Sequence, residues 1–174
     1  MKTAILIFCI LLKMNSLNAQ CKTKVDDMTK TKITESKHGS VGHGKQCGLC
    51  TKLFLEMSVR KVDDSYYFFF EAEGSDVWSI DKNDKVLLKT SNDSVLVIYY
   101  EGAYKTSSSR SGKSFVQGTN TTIWPLYFSL GLNEEQLKYF RISPLVKIRI
   151  GTHDYEINKA DFIISQIECI LNSK

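Results

Sequence analysis

The sequence predicts a mainly β fold with α+β character at its C-terminal end. The expected form is an antiparallel sandwich or barrel-like sheet with a short helix and a C-terminal helix packed on it. Three observations carry this. Apolar and polar residues alternate with period two over 51–60, the signature of a strand with one buried face. Short β-prone runs recur between frequent Asn, Asp, Ser and Gly turns. Helical spacing of apolar residues is confined to the last third of the chain.

The elements follow in order. Residues 30–36 alternate enough for a first strand within a polar segment that holds Gly39, Gly42, Gly44 and Gly48. Leu53, Leu55, Met57 and Val59 then alternate with Lys52, Phe54, Glu56, Ser58 and Arg60. A turn over 62–65 leads to an aromatic strand at 66–71. Short strands at 76–80 and 85–90 flank Asp81-Lys82-Asn83-Asp84, which has the chemistry of a hairpin loop. Ser91-Asn92-Asp93 turns the chain into a strand over 94–101, and the Ser/Gly-rich residues 106–113 are expected to be a surface loop. Pro125 gives the strand at 121–130 the character of an edge or a bulge. Asn133 followed by Gln136 forms a capping box that opens a helix to about Phe140. Strands at 146–150 and 155–157 form a hairpin about residues 151–154. Asn158 is the expected cap of a last helix, in which Phe162, Ile163, Gln166, Ile167 and Ile170 share a face.

Residues 1–19 have the organisation of a cleavable export signal. Lys2 precedes an apolar run over 4–12, Lys13 ends it, and Ala19 offers a small residue for cleavage before Gln20. That run is about half the roughly 20 residues a spanning helix needs, so no transmembrane anchor is expected after cleavage. Gln20 before Cys21 is a poor match to a lipoprotein signal. The expected organisation is a signal peptide at 1–19, a polar segment at 20–50 and a β-rich domain with its C-terminal helix at 51–174. The destination is the periplasm or the exterior. Of the formal net charge of +4, Lys2 and Lys13 leave with the leader, and +2 is too little to argue for nucleic acid.

Export places Cys21, Cys47, Cys50 and Cys169 in an oxidising compartment, where an even number of cysteines points to disulfides. Four cysteines allow three pairings. Cys47 and Cys50 can close a short loop, which leaves Cys21 to tie the N-terminal segment to the last helix, worth roughly 4 kcal/mol in the chain-entropy picture.

The mature segment resembles a group of small exported proteins of unknown function from Bacteroidota. The likeness rests on Cys21-Lys22 and the Thr/Lys-rich stretch after it, and on an RxxDSYY-like strand at 60–67. A WSIDKxD motif at 78–84, an LxxEQLxxF…KIRI pattern within 132–150 and a terminal helix holding Cys169 complete it. The resemblance implies export and a β-rich fold and carries no activity. Residues 38–50 depart from the group's pattern.

No catalytic constellation emerges. His153 stands between Thr152 and Asp154 with no Gly-x-Ser-x-Gly elbow to present a serine. Ser111-Gly112-Lys113-Ser114 copies the end of a phosphate loop but lacks the earlier glycine, where Ser107 stands. Thr51 after Cys50 excludes haem attachment. Asn92-Asp93-Ser94 and Asn120-Thr121-Thr122 match glycosylation acceptors, which matter in a eukaryotic host. Cys47-Gly48-Leu49-Cys50 precedes a strand pattern, so the helix N-terminus that activates a redox thiolate is missing. His38, His43, Cys47 and Cys50 together make a chemically sound tetrahedral metal set on one glycine-rich loop. The expectation is a non-catalytic binding or structural module without a cofactor, its partner a protein or an apolar small molecule. The alternatives are a thiol–disulfide or metal-binding protein using residues 38–50, and a lipocalin-like carrier.

Overall fold

The computed structural model describes residues 21–46, 51–74, 76–100, 102–106, 109–113 and 120–173. Strands β1 (Lys22–Val25), β2 (Lys32–Glu35), β3 (Gly39–Gln46), β4 (Thr51–Val62) and β5 (Ser65–Gly74) come first. Then follow β6 (Ser79–Ile80), β7 (Lys85–Thr90), β8 (Val95–Tyr99), β9 (Tyr104–Lys105), β10 (Arg110–Lys113) and β11 (Asn120–Leu132). Helix α1 (Glu134–Ile142), strands β12 (Leu145–Ile150) and β13 (His153–Ile157) and helix α2 (Ala160–Leu171) complete the chain. One antiparallel sheet runs in the order β10-β11-β5-β4-β3-β13-β12-β7-β8, with the β1–β2 hairpin joined to it through β4.

Among the described residues the sheet is antiparallel and open, with β10 and β8 at its two ends. It nevertheless curls. The Tyr155 hydroxyl on β13 donates to the Glu73 carbonyl on β5, three strands away in the order. The Tyr100 ring, just past β8, lies 5.4 Å from Phe128 on β11. The alternation read at 51–60 sets this curvature to work: Leu53, Leu55, Met57 and Val59 are buried inside, while Phe54 and Glu56 face out. Phe68, Phe70, Leu126, Phe128 and Leu130 extend the same core across β5 and β11. This interior is filled by side chains, the packed core of a sandwich-like sheet.

Helix α2 packs on β4 and β3, and α1 packs on α2. Ile163, Gln166, Ile167 and Ile170 are buried, as their spacing predicts. In α1, Asn133 accepts from the Gln136 amide and Gln136 returns a bond to the Asn133 amide, the predicted capping box. Asn158 does not cap α2; its side chain donates to His43 Nδ1. The backbone amides of Asn158 and Lys159 both donate to the Val41 carbonyl instead, which anchors the helix entry on β3.

Other expectations are corrected. The polar segment up to residue 46 is part of the sheet, contributing β1, β2 and β3. The glycines that suggested a loop are there because β13 lies close: a Cβ at Gly42 would meet the Glu156 carbonyl oxygen, and one at Gly44 would sit 2.7 Å from that of Asp154. The turn at 81–84 forms, with Asn83 at φ 73°, but it joins strands of different ladders rather than a hairpin. β6 pairs with β9, while β7 lies between β12 and β8. Within 106–113, residues 110–113 form strand β10 along the first part of β11. On its other side β11 pairs with β5, where Pro125 stands opposite Glu73. No helix among the described residues is long and apolar enough to cross a membrane.

Candidate functional site

The most chemically organised surface lies on the outer face of the sheet, where β2 gives way to β3. β4 is long enough to pair with both: with β3 along 51–57 and with β2 along 60–62. Between them Ser36, Lys37 and His38 cross a break in the ladder. Helix α2 fixes this break from the inside. The Ser36 hydroxyl donates to Gln166 Oε1 at 3.1 Å, and Gln166 Nε2 donates to the Lys37 carbonyl at 2.6 Å. Gln166 is fully buried, and Ser36 Oγ also accepts from the Val59 amide at 2.8 Å. A buried amide with both ends engaged holds its surroundings in one arrangement.

On the outside, His38 Nε2 lies 3.3 Å from Glu56 Oε2, with both side chains a little over one-third exposed. Glu56 is the direct cross-strand partner of Glu71 on β5. The donor atoms of His38, Glu56 and Glu71 all lie within 4.8 Å of one another. Beside this trio, Arg60 Nη2 donates to Glu35 Oε1 at 2.7 Å, and its guanidinium lies over the Phe69 ring at 5.1 Å. Ser58 adds a longer bond to the same Glu35 oxygen. A surface cavity of about 450 Å³ opens here, lined by Lys22, Glu35, Ser36, Lys37 and His38.

The predicted site residues are placed as follows. Cys21 and Cys169 are joined in a disulfide, with Cα atoms 5.9 Å apart. Cys47 and Cys50 lie outside the described residues. His38 stands just before β3 and His43 within it, where the Asn158 side chain donates to His43 Nδ1. Of the segment that carries those four residues, 39–46 form strand β3. The structure brings His38 instead to Glu56 and Glu71, which sequence reasoning placed only as strand residues. The direct opposition of Glu56 and Glu71 depends on the register of β4 against β5, and no pattern within either strand states it.

His153, at the start of β13, stacks at 4.5 Å on Trp78 and lies 3.9 Å from Asp76. Burial pushes its pKa down, against the opposing pull of Asp76. On its other side, Nδ1 lies 3.5 Å from the hydroxyl of the adjacent Thr152, a long contact. On β12 and β13, Lys147 bridges Asp154 at 3.0 Å and Glu156 at 3.1 Å, and Arg149 binds Asp154. The Arg149 hydrogen bond leads in holding the Asp154 carboxyl down at about 2. These charges are partly exposed to exposed, and each such surface pair is worth little to stability.

The aromatic strands divide by face. Phe68 and Phe70 are core, Tyr66 on the same face packs partly buried against it, and Tyr67 and Phe69 are half-buried on the other face. At the β8 edge the alternation leaves Val95, Val97 and Tyr99 at 51, 42 and 57 % exposure, while Leu96 and Ile98 pack on the core. No protein-family model, no curated protein and no solved structure matches this chain.

Proposed function

We propose that this chain is an exported, non-catalytic binding module, held together by its Cys21–Cys169 disulfide, that grips an extended segment of a partner protein along β8. A disulfide between such distant residues is at home outside the reducing cytoplasm, which supports export. It also accords with the leader-like residues 1–19 and with the Bacteroidota group the sequence resembles.

The observation that carries the binding role is β8 itself. Among the described residues it is the terminal strand of the sheet, hydrogen-bonded to β7 on one side, and its five residues are Val-Leu-Val-Ile-Tyr. An edge strand usually protects itself with charge, proline or a bulge. β8 has none of these, and its outward side chains are the apolar Val95, Val97 and Tyr99. Such an edge supplies backbone hydrogen bonds for affinity and alternate side-chain positions for specificity, the mode by which strands are added to sheets.

The test is a photo-crosslinking amino acid placed at Val97 in producing cells, with the same probe at the exposed turn residue Lys82 as control. A discrete protein adduct from position 97, absent at 82 and lost on adding Val95→Lys, is expected. No adduct, or the same adducts from both positions, overturns the reading. Intact mass of the recovered protein checks export: residues 1–19 are expected to be missing.

A further inference from the structure

We infer that His38, Glu56 and Glu71 form a site for one divalent transition-metal ion, zinc foremost, with solvent completing its shell. The donor chemistry comes first. One imidazole nitrogen and two carboxylate oxygens suit zinc or a neighbouring transition metal, whereas calcium and magnesium prefer oxygen alone. Open zinc sites commonly have three protein ligands of this mixed kind and a water in the fourth position.

Geometry comes next. Zinc bonds to nitrogen and oxygen are about 2.0–2.2 Å long, so two ligands of a tetrahedral ion stand about 3.4 Å apart. The His38–Glu56 separation is 3.3 Å, already that edge. The whole trio lies within 4.8 Å, so the remaining closure needs only rotamer adjustment of Glu71.

The backbone holds the three ligands in place. Glu56 and Glu71 are register partners on adjacent strands, which holds their carboxylates side by side on one face of the sheet. His38 leaves the break between β2 and β3, which the buried Gln166 fixes through Ser36 and Lys37. Its Nε2 is the nitrogen turned toward Glu56, leaving Nδ1 to carry the proton of a neutral ligand. The site stands apart from β8 and does not depend on the partner-binding reading.

The experiment titrates zinc chloride into the purified, disulfide-intact protein by calorimetry, with calcium and magnesium chloride as controls, and repeats it on variants. One saturable equivalent of zinc is expected. Weakening by tenfold or more is expected for His38→Gln and for Glu71→Gln, with calcium and magnesium at least a hundredfold weaker. His43→Gln and the double variant Cys47→Ser, Cys50→Ser should bind as the parent does. Zinc should also raise the melting temperature of the parent and leave that of His38→Gln unmoved, a readout that holds whatever the protein's role. His38 is exposed, and circular dichroism confirms that its variant is folded. Absence of saturable binding overturns the site. So does loss of binding in the His43 or cysteine variants with His38→Gln unaffected, which reassigns the ion to His43, Cys47 and Cys50.

Discussion

His153 shows how one side chain couples the fold to pH. Its ring lies against Trp78 and its pKa is lowered chiefly by burial, so the folded protein holds it neutral where the unfolded chain would protonate it. The unfolded state therefore binds more protons below the ordinary histidine value of about 6.5, and stability falls as pH drops through that value toward the lower folded one. Lowering the pH from 7.5 to 5 should reduce the urea midpoint in the parent and do so less in His153→Phe. In a Trp124→Phe background, the emission of Trp78 should change over the same interval, because a protonated imidazole against an indole alters its quenching. A flat midpoint and flat emission would remove His153 from any pH response.

At the scale of elements, Gln166 on α2 is the tie between the helix and the strand break beneath the candidate site. Gln166→Leu fills the space but strands the Lys37 carbonyl and the Ser36 hydroxyl, and should cost about 1–3 kcal/mol. Urea unfolding measures that loss, and hydrogen exchange should speed up locally at the amides around residues 36–38. How far elements were legible in the sequence follows from the same local-against-distant distinction. The β4 alternation, the Asn133 capping box, the β12–β13 hairpin and the buried face of α2 are written within a few residues each, and the structure has them all. β3 was hidden because Gly42 and Gly44 are explained by β13, more than a hundred residues later. The pairing of β6 with β9 was hidden for a related reason: the turn at 81–84 is correct locally, but distant strands decide where the chain on each side goes. The candidate site shares this fate. His38 was noticed for its type, whereas Glu56 and Glu71 become ligands only through register.

For the whole molecule, the Cys21–Cys169 disulfide closes a loop of 148 residues, nearly everything described. Constraining so long a loop in the unfolded chain is worth about 4–5 kcal/mol in the entropic account, although measured values often fall lower. Cys21→Ser, Cys169→Ser and the double variant should each lose about 3–5 kcal/mol in urea unfolding, and reductant should destabilise the parent but not the double variant. Equal stability of parent and variants would show that β1 and α2 stay docked through packing alone.

That crosslink also says something about the path of the polypeptide. With its first and last described portions side by side, the backbone is almost a ring, and where it starts is nearly arbitrary. A circular permutant, the old ends spliced by a short flexible linker and new ones opened between β6 and β7, would interrupt no hairpin, since those two strands belong to separate ladders.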